Sequence, residues 1–239
     1  MLMVSSPRFE PILTVNGHAA EQTRMTSFLV YLLAFVPVGA LLAIAATQTV
    51  TPLAYLTKDP LTVAEMASAG CCRIYYGALS NVGILLWCAT ASICLFSAMV
   101  LWLGRGFSAQ AQQMAAVFLA SGLFSGWMAL DDLFLIHENV LPALGVPQKL
   151  VYGIYGALTL GYLWFARDLL FAGRKTMFVV ALGLLTLSVG VDVVATSEGY
   201  MHVLIEDGAK ILGISAWAAF HIEAAVVAVH RASVDDAVL

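Results

Sequence analysis

Apolar residues in this chain fall in long unbroken runs separated by short polar punctuation, without the alternation of a strand. A helix that crosses a bilayer needs about 20 mostly apolar residues. On that template six stretches qualify: 27–46, 76–103, 114–138, 150–171, 176–195 and 205–229. In lipid only helices and closed barrels satisfy every backbone group, and a period of two is missing here. The pattern therefore predicts an all-α, polytopic integral membrane protein, a bundle of about six transmembrane helices embedded in the lipid bilayer. It divides the chain into a cytoplasmic N-terminal tail (1–26), a membrane domain (27–231) and a cytoplasmic C-terminal tail (232–239).

The longest connection is 48–75. Pro60 starts a turn there, and Thr62-Val-Ala-Glu65 has the spacing of a capping box, because Glu65 can reach back to the cap amide. Gly70 is a helix stop. A short helix is expected in this connection, lying on the membrane surface or over the bundle. The loop at 142–148 is short, which makes the third and fourth helices antiparallel neighbours.

Composition agrees with the pattern. The 239 residues are 61% hydrophobic and 11% charged, whereas a soluble domain is roughly a quarter charged. A net charge of −4 gives no footprint for nucleic acid, so none is expected as a partner. Cys71, Cys72, Cys88 and Cys94 form no CxxC pair and are too few for a disulfide framework. Residues 1–22 lack the basic start and apolar core of a secretory leader, so 27–46 is read as a retained helix. Arg8, Arg24, Arg105, Arg167, Arg174, Lys175 and Arg231 fall on one side of the six-helix topology, against Lys58, Arg73, Lys149 and Lys210 on the other. The positive-inside rule then places both termini in the cytoplasm.

The extracytoplasmic side gathers acids. Asp131, Asp132, His137 and Glu138 sit at the outer end of the third run, Asp192 at that of the fifth, and Glu206, Asp207 and Lys210 open the sixth. Ionisable side chains in membrane-length segments are costly and mark functional sites. On a helix of about 100° per residue, Ser121, Ser125 and Asp132 form one stripe. Glu206, Lys210, Gly213, Trp217 and His221 form another, with Glu206 and Lys210 an i,i+4 pair. Asp132 and His137 lie about 140° apart on the same construction.

Three functions fit these residues. A metal-dependent, membrane-embedded enzyme acting on a lipid-like or small substrate would hold a divalent transition metal on Asp132, His137, Glu138, Asp192, Glu206 and Asp207, with His202 at the same depth. Asp131, Asp132 and Lys210 would be its reactive groups, supported by Ser80, Asn81, Ser125, Trp217 and His221. A proton- or cation-coupled carrier or channel component would use the same carboxylates and Lys210 as a relay. A structural or assembly subunit would use them simply to hold the six-helix bundle together, with a protein partner in a larger membrane complex. The first two require acidic residues of the third, fifth and sixth runs to share a pocket with Lys210, with Asp132 and Lys210 at one end of the bundle; groups splayed outward would favour the third.

Overall fold

An apolar run in lipid closes its backbone hydrogen bonds on itself, and helices result. The computed structural model describes residues 17–66, 73–104, 109–172, 175–194 and 199–237, without a strand among them. Its helices are α1 (Gly17–Thr47), α2 (Leu53–Thr57), α3 (Pro60–Met66), α4 (Ala78–Leu103), α5 (Ala109–Phe134), α6 (Leu141–Ala143), α7 (Gln148–Ala172), α8 (Thr176–Val194) and α9 (Tyr200–Ala237). A short π-helix, Ile136–Val140, follows α5.

Among the described residues, five helices hold segments long and apolar enough to cross a membrane: Met25–Thr47, Ala78–Leu103, Gln110–Phe134, Thr176–Val194 and Tyr200–His230, with mean hydropathy between 1.4 and 2.5. This is the pattern of a multi-pass membrane protein. The sixth expected span corresponds to α7, whose tyrosines and glycines dilute its apolarity. Its side chains nevertheless track the bundle from end to end. The Tyr152 hydroxyl donates to Asp192 at the end of α8 (2.6 Å), the Tyr155 hydroxyl to Asp131 at the end of α5 (2.8 Å), and Tyr162 meets Ser121 in mid-α5 (2.9 Å). Tyr155 and Tyr162 are seven apart, so they share a helix face.

The bundle is built around α9. Two thirds (67%) of its apolar window is buried, against 17% for α1 and for α8. The reason is visible at Trp217, which is 1% exposed. Its ring meets Trp87 of α4, Phe124 of α5, Tyr162 of α7 and Phe178 of α8, with centroids 5.5–6.0 Å away. Packing of this kind, not water exclusion, holds helices together in lipid. Two glycines allow the closest approaches. A Cβ on Gly122 would lie 2.7 Å from Leu95 of α4, and one on Gly213 would lie 2.9 Å from Leu185 of α8. Gly213 thus faces α8 and is a packing residue, not a member of the polar site. On another face of α9, Ser27 and Tyr31 of α1 donate hydroxyl hydrogen bonds to Glu223 (2.5 and 2.6 Å).

Among its described residues, the connection between α1 and α4 holds two short helices where one was expected. Asp59 caps α3, its Oδ1 accepting from the amides of Leu61 and Thr62 (both 2.9 Å). The Thr62–Glu65 spacing therefore lies inside the helix rather than at its cap. Val63 is fully buried beneath it. Gly70, Cys71, Cys72, Arg8, Arg105, Arg174 and Glu198 lie outside the described residues. Arg167 sits over the Trp164 ring, 4.2 Å from its centroid.

Candidate functional site

The ends of four segments meet over one cavity: the α2–α3 junction, the start of α4, the end of α5 and the start of α9. The cavity measures about 60 Å³ and opens to the surface, room for a few water molecules. Its charged lining is Lys58, Asp59, Asp132, Glu138, Glu206, Asp207 and Lys210, with Ser80 beside them. Five carboxylates face two ammonium groups, so the cavity is net negative.

At its base Lys210 Nζ donates to Asp132 Oδ1 at 2.9 Å, joining α9 to α5. The Asp132 side chain is 11% exposed and that of Lys210 39%, so water reaches the pair through the lysine. At the rim Lys58 Nζ lies 3.3 Å from Glu206 Oε2. Burial opposes the Lys58 charge, but Asp207 and Glu206 outweigh it and hold the ammonium above its ordinary pKa. Glu206 therefore takes its cation from the loop. The i,i+4 pair with Lys210 that the spacing suggested does not form, because Lys210 turns to Asp132. Both ring nitrogens of His202 and Oδ2 of Asp207 are buried without a hydrogen-bond partner among the described residues, although His202 Nδ1 lies 3.7 Å from Glu206 Oε2. Groups in that condition draw in water or a proton.

Beside the cavity, α5 breaks. Leu135 adopts a left-handed conformation (φ 51°, ψ 44°), which costs a non-glycine residue about 1–2 kcal/mol. The break folds His137 back onto Asp131, which is 3% exposed. Asp131 Oδ1 accepts the His137 backbone N–H (3.0 Å) and the Tyr155 hydroxyl (2.8 Å), while Oδ2 accepts Nδ1–H of the imidazole (2.5 Å). The other ring nitrogen, Nε2, lies 3.3 Å from Glu138 Oε1. Burial works against the imidazolium, but the Asp131 and Glu138 hydrogen bonds and charges prevail, and the His137 pKa rises to about 9. The same bond to His137, assisted by Lys210 against the effect of burial, holds the Glu138 carboxyl below its ordinary value. Asp131 is thus the anchor of a chain break, and Glu138 is the member of this group that the break turns into the cavity.

Deeper in the bundle a second polar set lines α9. The Trp217 indole Nε1–H donates to Ser125 Oγ at 3.0 Å. His221, 2% exposed, contacts Tyr162 through Nε2 (3.1 Å) and the Trp217 carbonyl through Nδ1 (2.9 Å).

Of the expected site residues, Asp132, Lys210, Glu138, Glu206, Asp207 and Ser80 come together at the cavity. Ser125, Trp217 and His221 share the deeper polar stripe. Asp131 and His137 stand behind the cavity, bonded to each other. Asp192 is held by Tyr152 instead, and Asn81 is exposed on the outside of α4, because a helix turns it about 100° from Ser80. The metal centre is not assembled. Among the described residues no three His, Cys, Asp or Glu side chains converge as ligands, since Asp132 faces Lys210, His137 faces Asp131 and Asp192 faces Tyr152. The spacing had not singled out Lys58, which reaches Glu206 across 148 positions of sequence. The α7 tyrosines also carry a signal in the sequence, since Tyr152 and Tyr155, at i,i+3, lie on neighbouring positions of one helix face.

A family described as "Domain of unknown function (DUF8692)" matches residues 28–224. No curated protein and no solved structure matches the chain.

Proposed function

The chain belongs to this family of unknown function, and we propose that it is a proton- or cation-coupled carrier or channel component. The observation that carries the reading is the Asp132–Lys210 ion pair (2.9 Å) in a net-negative cavity of about 60 Å³ between membrane-length helices. An ion pair of this sort exchanges its proton or its counter-ion when a cation arrives, because each carboxylate beside it adds attraction in a region of lowered dielectric. Asp207 Oδ2, in the cavity lining and without a hydrogen-bond partner among the described residues, adds a second place for a proton or water. With both termini in the cytoplasm, as the Lys and Arg distribution argues, the cavity opens to the extracytoplasmic side.

The test is flux in proteoliposomes that hold a pH-sensitive dye and a potassium diffusion potential. Wild-type protein is expected to carry protons or a coupled cation inward. Asp132→Asn should lower that flux at least tenfold, and Lys210→Met should lower it similarly. Flux that ignores both substitutions would reject this assignment of the site.

A further inference from the structure

His221 lies eleven residues beyond Lys210 on α9, about 16 Å further into the bundle. Its place on the helix stripe alone would make it a satisfied core residue. Its hydrogen-bond partners make a more specific case. Four contacts run in series through three helices: the Trp217 carbonyl to His221 Nδ1 (2.9 Å), His221 Nε2 to the Tyr162 hydroxyl (3.1 Å), Tyr162 to Ser121 Oγ (2.9 Å), and Ser121 to the Val117 carbonyl (2.8 Å).

Each contact needs one proton between its two heavy atoms. Both ends of the series are carbonyl oxygens, which only accept. The neutral side chains supply three protons: one on the imidazole, one on tyrosine and one on serine. Nδ1 must hold the ring proton, because it faces a carbonyl. Tyr162 then donates to Nε2, and Ser121 serves either Val117 or Tyr162 but not both. One contact of the four is always without a proton. Adding a single proton at Nε2 removes the deficit. Nε2–H then donates to the Tyr162 oxygen, Tyr162 donates to Ser121, and Ser121 donates to Val117. The series is therefore complete only when it carries one proton more than its neutral residues do.

We propose that Ser121, Tyr162 and His221 form a proton-holding relay, the inner station of a path whose outer station is the Asp132–Lys210 pair; the role rests on the proton-coupled reading above. No bond other than O–H and N–H is made or broken, and the charge resides on the imidazole. The groups facing that ring are the Tyr162 hydroxyl of α7, Ser121 of α5 behind it, and Trp217 and Phe220 of α9 itself. Between the two stations stand Ile214, Trp217 and Trp87, each at most 3% exposed. An indole N–H does not accept a proton, so passage between the stations requires this aromatic plug to move.

Two measurements on the full-length protein in bilayers decide the matter. The first is hydrogen–deuterium exchange of ¹⁵N-labelled histidine rings and tryptophan indoles by NMR, with the His221 signal assigned by its loss in His221→Gln. The His221 ring is expected to exchange in minutes, while the equally buried Trp217 indole stays protonated for hours. Equal protection of the two overturns the relay whatever the flux shows. The second is proteoliposome flux. His221→Gln should lower proton flux at least tenfold, and Tyr162→Phe, which keeps the ring packed against Phe124 and Trp217, should lower it several-fold. If Asp132→Asn abolishes flux while both relay variants match wild type, the outer site stands and the relay falls. If the wild-type protein carries no protons at all, the carrier reading fails, and the exchange experiment alone judges the relay.

Discussion

The chain break behind the cavity has a quantitative consequence for stability against pH. His137 has an ordinary pKa of 6.5 and reaches about 9 in the folded protein. Folding therefore favours the imidazolium. A group whose pKa is raised by folding contributes its full stabilisation below the unfolded value, and that contribution is lost as pH climbs through the folded value. The window here runs from about pH 6.5 to about pH 9. At about 1.36 kcal/mol per unit, the ceiling is about 3 kcal/mol. The side chain is only 10% exposed, so solvent screening takes little from that ceiling. For a chain of this size the loss corresponds to a Tm lower by about 5–10 °C. The assay is thermal unfolding in detergent, followed by tryptophan fluorescence, for wild type and His137→Gln at a series of pH values from about 6 to 10. Gln retains a donor for Asp131 and cannot titrate. The wild-type advantage over the variant should be largest at pH 6 and vanish near pH 10. Lys58 and the tyrosines titrate in both proteins and cancel in the difference. A difference that stays constant across the range, or grows with pH, would refute a charged His137 held by Asp131.

Lys210→Met leaves the Asp132 carboxylate without its cation and should destabilise the bundle by about 1–2 kcal/mol, less than for a fully buried pair because Lys210 is partly solvated; adding Asp132→Asn should recover most of that loss, and a double-mutant cycle with no coupling would contradict the pairing. Gly213→Val pushes a side chain into Leu185 at a Cβ distance of 2.9 Å, and overpacking of this kind should cost about 1–3 kcal/mol. Unfolding in graded denaturing detergent measures it, and an unchanged midpoint would mean that α8 and α9 do not approach closely at this glycine. Asn81→Ala, at an exposed position on α4, should change stability by less than about 0.5 kcal/mol and leave flux untouched.

What the sequence revealed, and what it hid, follows helical regularity. The stripe Glu206, Lys210, Trp217 and His221 was readable because α9 is one uninterrupted helix, and a regular helix keeps its angular register over many turns. Ser121, Ser125 and Asp132 were readable for the same reason on α5. His137 and Glu138 were not. Their expected angles assumed a helix running on past residue 134, but Leu135 leaves the helical region and resets the rotation of everything after it. Nothing in Leu-Phe-Leu-Ile announces that reset, since leucine is not a residue that favours positive φ. The convergence of loop and helix at Lys58 and Glu206 was equally hidden, because a contact across the whole chain has no local signature. The edges of the spans moved for a simpler reason. Hydropathy marks where lipid begins, whereas α1 and α9 continue as helices beyond their apolar parts.

The central position of α9 bears on how the protein is made. It is the last of these helices to leave the ribosome, yet it supplies the partner for Ser125, Asp132, Tyr162, Ser27 and Tyr31. Until it arrives, the earlier helices sit in the membrane with those hydroxyls and that carboxylate facing lipid, one another or the insertion machinery. Biogenesis then has a single closing step, at which the polar groups of three older helices are quenched together by one newcomer.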